Sequence, residues 1–113
     1  MYTEEDLLKW YDEEYCLERV KKNGWLLKFV KNQTEEMCLE AVRHDGFALQ
    51  FVKNQTEVIC MEAVREDGRA LRYVKNQTEE MCLEALAQDA NSIQYVDIKK
   101  FPRVFEKYQF MNT

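Results

Sequence analysis

Four cysteines are the most reactive side chains of this sequence, and such residues can form disulfides or hold zinc. Cys16, Cys38, Cys60 and Cys82 follow one another at intervals of 22 residues, and the single histidine is His44. Zinc ligands are grouped at short spacings, and no C-x-x-C pair occurs. If equivalent helices stack, neighbouring cysteines lie about 8–10 Å apart, beyond the roughly 7 Å limit for a disulfide. We predict four buried thiols in a reducing compartment and no metal site.

A glutamate recurs at the same interval, and paired carboxylates can perform acid–base catalysis. The five residues are Glu18, Glu40, Glu62, Glu84 and Glu106. One glutamate per interval forms a row on a solvated face, and no nucleophile or glycine-rich phosphate loop lies near it. We therefore expect surface charge, and we expect neither an enzyme nor a cofactor.

The tetrapeptide Lys-Asn-Gln-Thr occurs three times, beginning at Lys31, Lys53 and Lys75. Lysine, asparagine and glutamine contact phosphates and base edges in modular nucleic-acid binders. The alternative is structural: Asn and Thr cap helices, and each lysine neutralises acids on a neighbouring unit. The structural interpretation is favoured because the copies are identical, whereas a reader of nucleic-acid sequence would vary its contact residues.

These rows exist because one segment is repeated along the chain. Residues 31–42 return almost unchanged as residues 53–64 and again as residues 75–86. Self-similarity at a fixed period is typical of stacked arrays, in which each unit is too small to bury its own apolar face. The sequence predicts an all-α fold, a short α-solenoid of 22-residue two-helix repeats with atypical terminal caps.

Each unit is predicted to contain two helices. Thr34 is a good N-cap, and Glu35 after it suits the positive end of the helix dipole, although Asn32 with Glu35 offers a rival capping box. One apolar stripe follows, formed by Met37, Cys38, Ala41 and Val42. Residues 47–52 then form a second helical segment of about two turns, too short to be stable without packing.

A glycine follows the first helix in most units, at Gly24, Gly46 and Gly68. Glycine just past the last turn relieves the left-handed backbone that a helix stop commonly needs. Ala90 occupies this place in the last unit, which predicts a strained or altered stop there.

Equivalent positions in successive units separate core from surface. The columns that begin at Leu27, Phe29 and Val30 stay apolar or aromatic in every unit, which indicates the core. By contrast, the column that begins at Trp25 varies and is predicted to be exposed.

This variable column is a candidate partner surface. The column consists of Trp25, Phe47, Arg69 and Asn91. The candidate surface takes its first three members and adds the motif lysines Lys31, Lys53 and Lys75. Trp25 and Phe47 side by side would form an apolar patch, but partial packing of both against the N-terminal cap is the favoured alternative.

The chain is predicted to be a single domain, with an N-terminal cap at residues 1–14, tandem repeats at 15–97 and a C-terminal capping helix at 98–113. Having both ends atypical predicts a complete short array. The net charge of −5 and pI near 5.0 argue against polyanion binding as the main task. No apolar run approaches the ~18 residues of a membrane span. The acidic N-terminus is unlike a signal peptide, so we expect a cytoplasmic protein and no membrane partner.

The run KNQTEEMCLEAVRHDGFALQFVKNQTE, with its ALxFVKNQTEE and CLEAVRxDG segments, resembles an uncharacterised family of helical repeats. That family is described as a domain of unknown function and is common in large DNA viruses, protists and some bacteria. The resemblance covers about residues 15–97 and implies a repeat protein of unassigned activity, with no catalytic or ligand residues. A viral origin would extend the expected location to the host cytoplasm or nucleus.

Architecture and composition together predict a non-enzymatic protein–protein interaction or scaffold module with an unknown protein partner. A nucleic-acid-associated module that uses the lysines is the first alternative. A self-assembling structural protein is the second.

Overall fold

The computed structural model describes residues 1–111, and over that range the chain is all-helical. The α-helices are α1 (Glu4–Leu8), α2 (Glu13–Lys22), α3 (Glu35–His44), α4 (Glu57–Glu66), α5 (Glu79–Gln88) and α6 (Pro102–Met111). The 3₁₀ helices are η1 (Lys9–Tyr11), η2 (Gly24–Phe29), η3 (Gly46–Phe51), η4 (Gly68–Tyr73) and η5 (Ala90–Tyr95).

The helices stack in chain order into an array 58 Å long and 24 by 22 Å across. From α2 to α5, each α-helix packs on the next α-helix, and from η2 to η5 each 3₁₀ helix packs on the next 3₁₀ helix. The predicted all-α solenoid of two-helix repeats is therefore confirmed.

A threonine begins α3, α4 and α5, as predicted. The Thr34 hydroxyl accepts a hydrogen bond from the amide of Met37 at 3.2 Å, which supplies one of the partners that the first turn lacks. Thr56 and Thr78 do the same for Ile59 and Met81. The rival start at Asn32 is wrong.

The second segment of each unit is helical, but it is a 3₁₀ helix of six residues that begins at the glycine. An extended residue separates it from the preceding α-helix. At Asp45 the backbone has φ −154° and ψ 115°, and the carboxylate accepts from the amide of Phe47 at 2.9 Å. Asn23, Asp67 and Asp89 repeat this geometry. One short polar side chain thus ends the α-helix and caps the 3₁₀ helix.

The expectation that the glycines adopt left-handed backbone is wrong, since no residue in the described range has positive φ. Glycine is needed instead because the backbone at these positions lies very close to the α-helix of the following unit. A Cβ added to Gly24 would lie 2.5 Å from the carbonyl oxygen of Ala41, and one on Gly46 would lie 2.6 Å from that of Ala63. Each 3₁₀ helix therefore begins directly against the α-helix of the following unit.

The altered stop expected at Ala90 is also wrong. The preceding Asp89 has φ −155° and ψ 116°, the same backbone as the other units. Ala90 is only half-buried, whereas Gly24, Gly46 and Gly68 are buried, so this last position is less closely packed and accepts alanine.

The core is a continuous stack of aliphatic side chains. Leu27, Leu49 and Leu71 are fully buried, and the Val30 column is at most 8% exposed throughout. The aromatic column that begins at Phe29 is only partly core, since Phe29 is 42% exposed and its later members are half-buried. Its rings lie where the 3₁₀ helices meet the surface.

The two ends are closed by aromatic side chains. At the N-terminal end, Leu7 and Leu8 are more than half exposed, and Trp10 packs instead, with its ring centroid 5.5 Å from Tyr15 and 5.3 Å from Phe29.

At the C-terminal end, Val104 of α6 is fully buried, and the stacked rings of Phe105 and Tyr108 are half-buried. Asn112 and Thr113, the end of the predicted capping helix, lie outside the described residues.

The four thiols are free and at most 3% exposed, so their predicted burial is confirmed. Burial, assisted by the nearby carboxylates of Glu35 and Glu57, raises the pKa of Cys38 and of Cys60 to about 11. Burial, with Asp97 and Glu79, raises the pKa of Cys82 to about 11 as well. The thiolate, which is the reactive form, is therefore disfavoured in the folded protein.

This burial predicts a loss of stability in alkaline solution. The folded state keeps three thiols protonated between the ordinary pKa of 9.0 and about 11, so their contribution is full below pH 9 and is lost as pH rises toward 11. A pKa raised this far corresponds to roughly 3 kcal/mol per thiol. Denaturant melts of the wild type and Cys60→Ala at both ends of this window should show a smaller pH-dependent loss in the variant. Equal losses would contradict the thiol assignment.

Candidate functional site

Glutamine is the residue of the Lys-Asn-Gln-Thr motif that joins one unit to the next. The Gln33 side chain donates from Nε2 to the carbonyl of Phe51 at 2.8 Å and accepts at Oε1 from the amide of Lys53 at 2.9 Å. The same pair recurs for Gln55 with Tyr73 and Lys75, and for Gln77 with Tyr95 and Asp97. We call each pair a glutamine bracket. Its half-buried amide satisfies two backbone groups of the following unit.

The cysteine column belongs to the same arrangement. The Cys38 thiol lies 3.6 Å from Gln33 Oε1, and the Cys60 and Cys82 thiols lie 3.5 and 3.4 Å from the equivalent oxygens of Gln55 and Gln77. Each thiol is thus a weak donor to a bracket. These contacts give the cysteines a structural role.

The expected roles of asparagine and lysine in the motif are wrong. Asn32, Asn54 and Asn76 are exposed and cap no helix. The three lysines, which we call the lysine column, are exposed as well, and no ion pair within residues 1–111 includes them. Lys53 instead donates from Nζ to the carbonyl of Lys31 at 3.1 Å. The motif therefore presents uncompensated positive charge.

The variable column packs forward along the array. Trp25 lies edge-on to Phe51 at 5.2 Å and donates from its indole to Asp45 at 2.7 Å, and Phe47 lies edge-on to Tyr73 at 5.9 Å. Packing of Trp25 and Phe47 against the N-terminal cap is therefore wrong. Each ring covers part of the next unit and leaves its other side at the surface.

Cations lie over several of these rings. The guanidinium of Arg69 is 5.1 Å from the centroid of Phe47, and that of Arg72 is 5.2 Å from Tyr73 and 5.7 Å from Tyr95. Such contacts hold the cations flat against the surface. Arg69 is also paired with Asp67 at 2.8 Å, and this guanidinium lowers the pKa of the Asp67 carboxyl.

Charge is divided between the two faces of the array. We define the 3₁₀ face as the exposed surface of residues 24–31, 46–53 and 68–75, which contain no acid. Their basic residues are Lys28, Lys31, Lys53, Arg69, Arg72 and Lys75. We define the α face as the exposed surface of α3, α4 and α5, where Arg43 and Arg65 are the only cations. Its acids are Glu35, Glu36, Glu40, Glu57, Glu62, Glu66, Glu79, Glu80 and Glu84. A protein of net charge −5 thus has one basic, aromatic face.

Two depressions adjoin the lysine column. The N-terminal hollow, of about 170 Å³, is lined by Tyr2, Asp6, Leu7, Trp10, Phe29 and Lys31. The second is a groove of about 500 Å³ between two units, to which Lys31, Lys53 and the N-terminal residue of α3, Glu35, contribute. Lys31 borders both.

The repeated glutamates are not assembled into a catalytic pair. Glu62 lies 3.5 Å from Arg43 of the preceding unit and 3.8 Å from Arg65 of its own. Across residues 1–111, no cluster of three or more His, Cys, Asp or Glu side chains is arranged to hold a metal ion. None of the described helices has the length and apolar character needed to cross a membrane.

The fold and its repeated junctions define a short helical-repeat protein of the solenoid class. The family model described as a domain of unknown function (DUF4116) matches residues 12–55 and, in an overlapping second match, residues 34–77. The two matches together span more than half of the chain, which therefore belongs to this family. No curated protein and no solved structure matches the chain.

Two features of the site were missed by sequence reasoning. The glutamine bracket has a signal in the internal repeats, because Gln33, Gln55 and Gln77 never vary while the exposed positions Glu36 and Val58 do. The basic face also has a signal, which appears only when charge is summed over the second segment of each unit. The total charge of the chain conceals it.

Proposed function

We propose that this protein is a non-enzymatic interaction module that binds a protein partner on its 3₁₀ face. The observation that carries the proposal is the segregation of charge, which places six cations among partly exposed aromatic rings on that face and nine glutamates on the α face. Aromatic side chains and arginines are the residues that contribute most to binding energy at interfaces.

Two features of this face could contribute to partner binding: cations that form no ion pair, and a column whose residue type varies from unit to unit. Lys28 lies 5.1 Å from the Phe29 ring, and Arg72 spans two rings, while no ion pair within the described range involves either cation. Trp25, Phe47 and Arg69 differ between units at one position of a constant scaffold. Selectivity for a partner would therefore be encoded in this column without changing the brackets below it.

Differential affinity purification tests this function. The full chain, a charge-reversed variant Arg72→Glu/Lys75→Glu, and the control Lys21→Glu on α2 are each used as bait in extract from the native source. The proposal expects a protein retained by the wild type and the control and lost with the double variant. Retention of the same proteins by all three baits would contradict it.

Nucleic-acid binding is the second candidate, and the basic face with its rings is the observation that favours it. A gel shift with single-stranded RNA over a series of salt concentrations tests this candidate, because phosphate contacts give steep salt dependence.

We also propose a cytoplasmic or nuclear location, since four buried free thiols suit a reducing compartment. The occurrence of the family in large DNA viruses, protists and bacteria stays a prediction.

A further inference from the structure

We propose that the lysine column and the N-terminal hollow together bind an extended acidic segment of a partner protein. One apolar side chain of the segment fills the hollow, and its carboxylates follow the lysines toward Lys75. This inference rests on the proposed function and names the chemical class of its partner.

The positive charge along this path is continuous and available. Lys53 Nζ lies 3.1 Å from the backbone carbonyl of Lys31 in the preceding unit, so these two lysines are neighbours. Lys75 occupies the equivalent position one unit further on. Their charges are uncompensated by ion pairs within residues 1–111. Glu35 is the one acid among the residues that line the groove, against Lys31 and Lys53. The lysines outnumber it, so charge complementarity favours an anionic ligand.

The period of the array sets the spacing of the ligand charges. Packed helices are separated by about 8–10 Å, and an extended chain rises about 3.3 Å per residue. About three residues of an extended segment thus span one unit. Carboxylates at every third position would meet Lys31, Lys53 and Lys75 in turn, and that pattern distinguishes this site from a surface that attracts any acidic chain.

The hollow supplies the anchor. Tyr2, Leu7, Trp10 and Phe29 give it a mostly apolar lining, and its volume of about 170 Å³ accepts one bulky side chain. Asp6 adds one carboxylate, which accepts from the amide of Thr3 at 3.1 Å. Lys31 borders it on the side of the lysine column. An apolar residue three positions before the first carboxylate would place both groups at once, and it would set the direction of the segment along the array.

The aromatic rings of the 3₁₀ face are partly covered by arginines, which favours a peptide ligand over a nucleic acid. Binding of single strands depends on open aromatic faces on which bases stack. Arg72 already covers one side of Tyr73 and of Tyr95, and Arg69 covers one side of Phe47. The acidic α face would also repel a long polyanion that extended beyond the lysines.

The test uses fluorescence anisotropy with a synthetic peptide that has one leucine followed by three glutamates, each preceded by two serines. We expect binding that weakens as salt is raised. Changing the peptide leucine to alanine should weaken it by about tenfold. Lys75→Glu in the protein should weaken it by about fivefold, whereas the matched reversal Lys21→Glu should have no effect. The Lys75 side chain can be changed safely because the bracket holds its backbone amide.

The hollow is tested with a second matched pair. Leu7 lines the hollow and Leu8 does not, and the two side chains are 54% and 56% exposed. Leu7→Ser should weaken binding of the leucine peptide, and Leu8→Ser should not.

Four results would overturn the inference. One is equal affinity for a peptide of the same composition with its glutamates adjacent, another is tighter binding of single-stranded RNA than of the peptide, and the third is growth in mass of the protein alone that Lys75→Glu abolishes, which would assign the lysines to a second copy. Absence of peptide binding would also overturn it. The proposed function would still stand if the double variant lost a partner in the affinity purification.

Discussion

Replacing Gly46 with alanine is expected to destabilise the protein by about 2–3 kcal/mol, because the new methyl group has no space. Its carbon would lie 2.6 Å from the carbonyl oxygen of Ala63 and 3.4 Å from atoms of Asp67. The first contact is with the backbone of the next α-helix, which cannot rotate away as a side chain can. The two units must therefore separate, and the core between them loosens. Chemical denaturation of the purified variant measures the loss.

Two controls separate this contact from a general effect of alanine. At Gly68 the added carbon would lie 3.1 Å from Ala85, so Gly68→Ala should cost much less, and the lower entropy of its unfolded chain would offset part of that cost. Ala90→Gly makes the reverse change at the last equivalent position and should cost at most about 1 kcal/mol. Equal effects at Gly46 and Gly68 would show that close approach does not select glycine here.

Changing Gln55 to leucine is expected to cost about 2–4 kcal/mol, since the substitution removes a bracket and leaves two backbone groups without partners. The carbonyl of Tyr73 would lose its donor at 2.9 Å, and the amide of Lys75 would lose its acceptor at 3.0 Å. Leucine occupies a similar volume, so the loss reports hydrogen bonding more than packing. Thermal and chemical melts of the variant measure it.

The neighbouring asparagine provides a matched control. Asn54 is exposed, and Asn54→Leu should change stability by no more than about 0.5 kcal/mol. Gln55→Glu sharpens the test, because a carboxylate still accepts from Lys75 but cannot donate to Tyr73. The stability of Gln55→Glu should lie between that of the wild type and that of Gln55→Leu if both hydrogen bonds contribute. A Gln55→Leu variant as stable as the wild type would show that the bracket contributes nothing.

Much of the fold could be predicted because it depends on interactions within one unit. Thr34 as a cap, the aliphatic columns and the buried cysteines follow from the character of single residues and their 22-residue spacing. The sequence places Gly46 correctly after the first helix, but the reason predicted for a glycine there is wrong. Glycine is required because the backbone lies so close to the next unit, and no pattern inside one unit reveals that distance.

The candidate site was predictable in part for the same reason. The exposed lysines and the variable column of Trp25, Phe47 and Arg69 were visible as positions. Their forward packing and the cations over the rings depend on how neighbouring units are placed. From the sequence, glutamine was identifiable only as a possible nucleic-acid contact. Its structural role was not visible because its two partners lie 18 and 20 residues away in sequence.

The two units that end at Gln55 and Gln77 carry both halves of the bracket. Each has a side-chain amide that reaches toward the C-terminus and a backbone segment that receives one from the N-terminal side. A tandem duplication of 22 residues would therefore insert a complete repeat unit together with its glutamine brackets to both neighbours. The length of the array can change in evolution by whole repeat units, and each added unit brings another lysine and another variable position. Binding-site length and composition are thus inherited together with the scaffold.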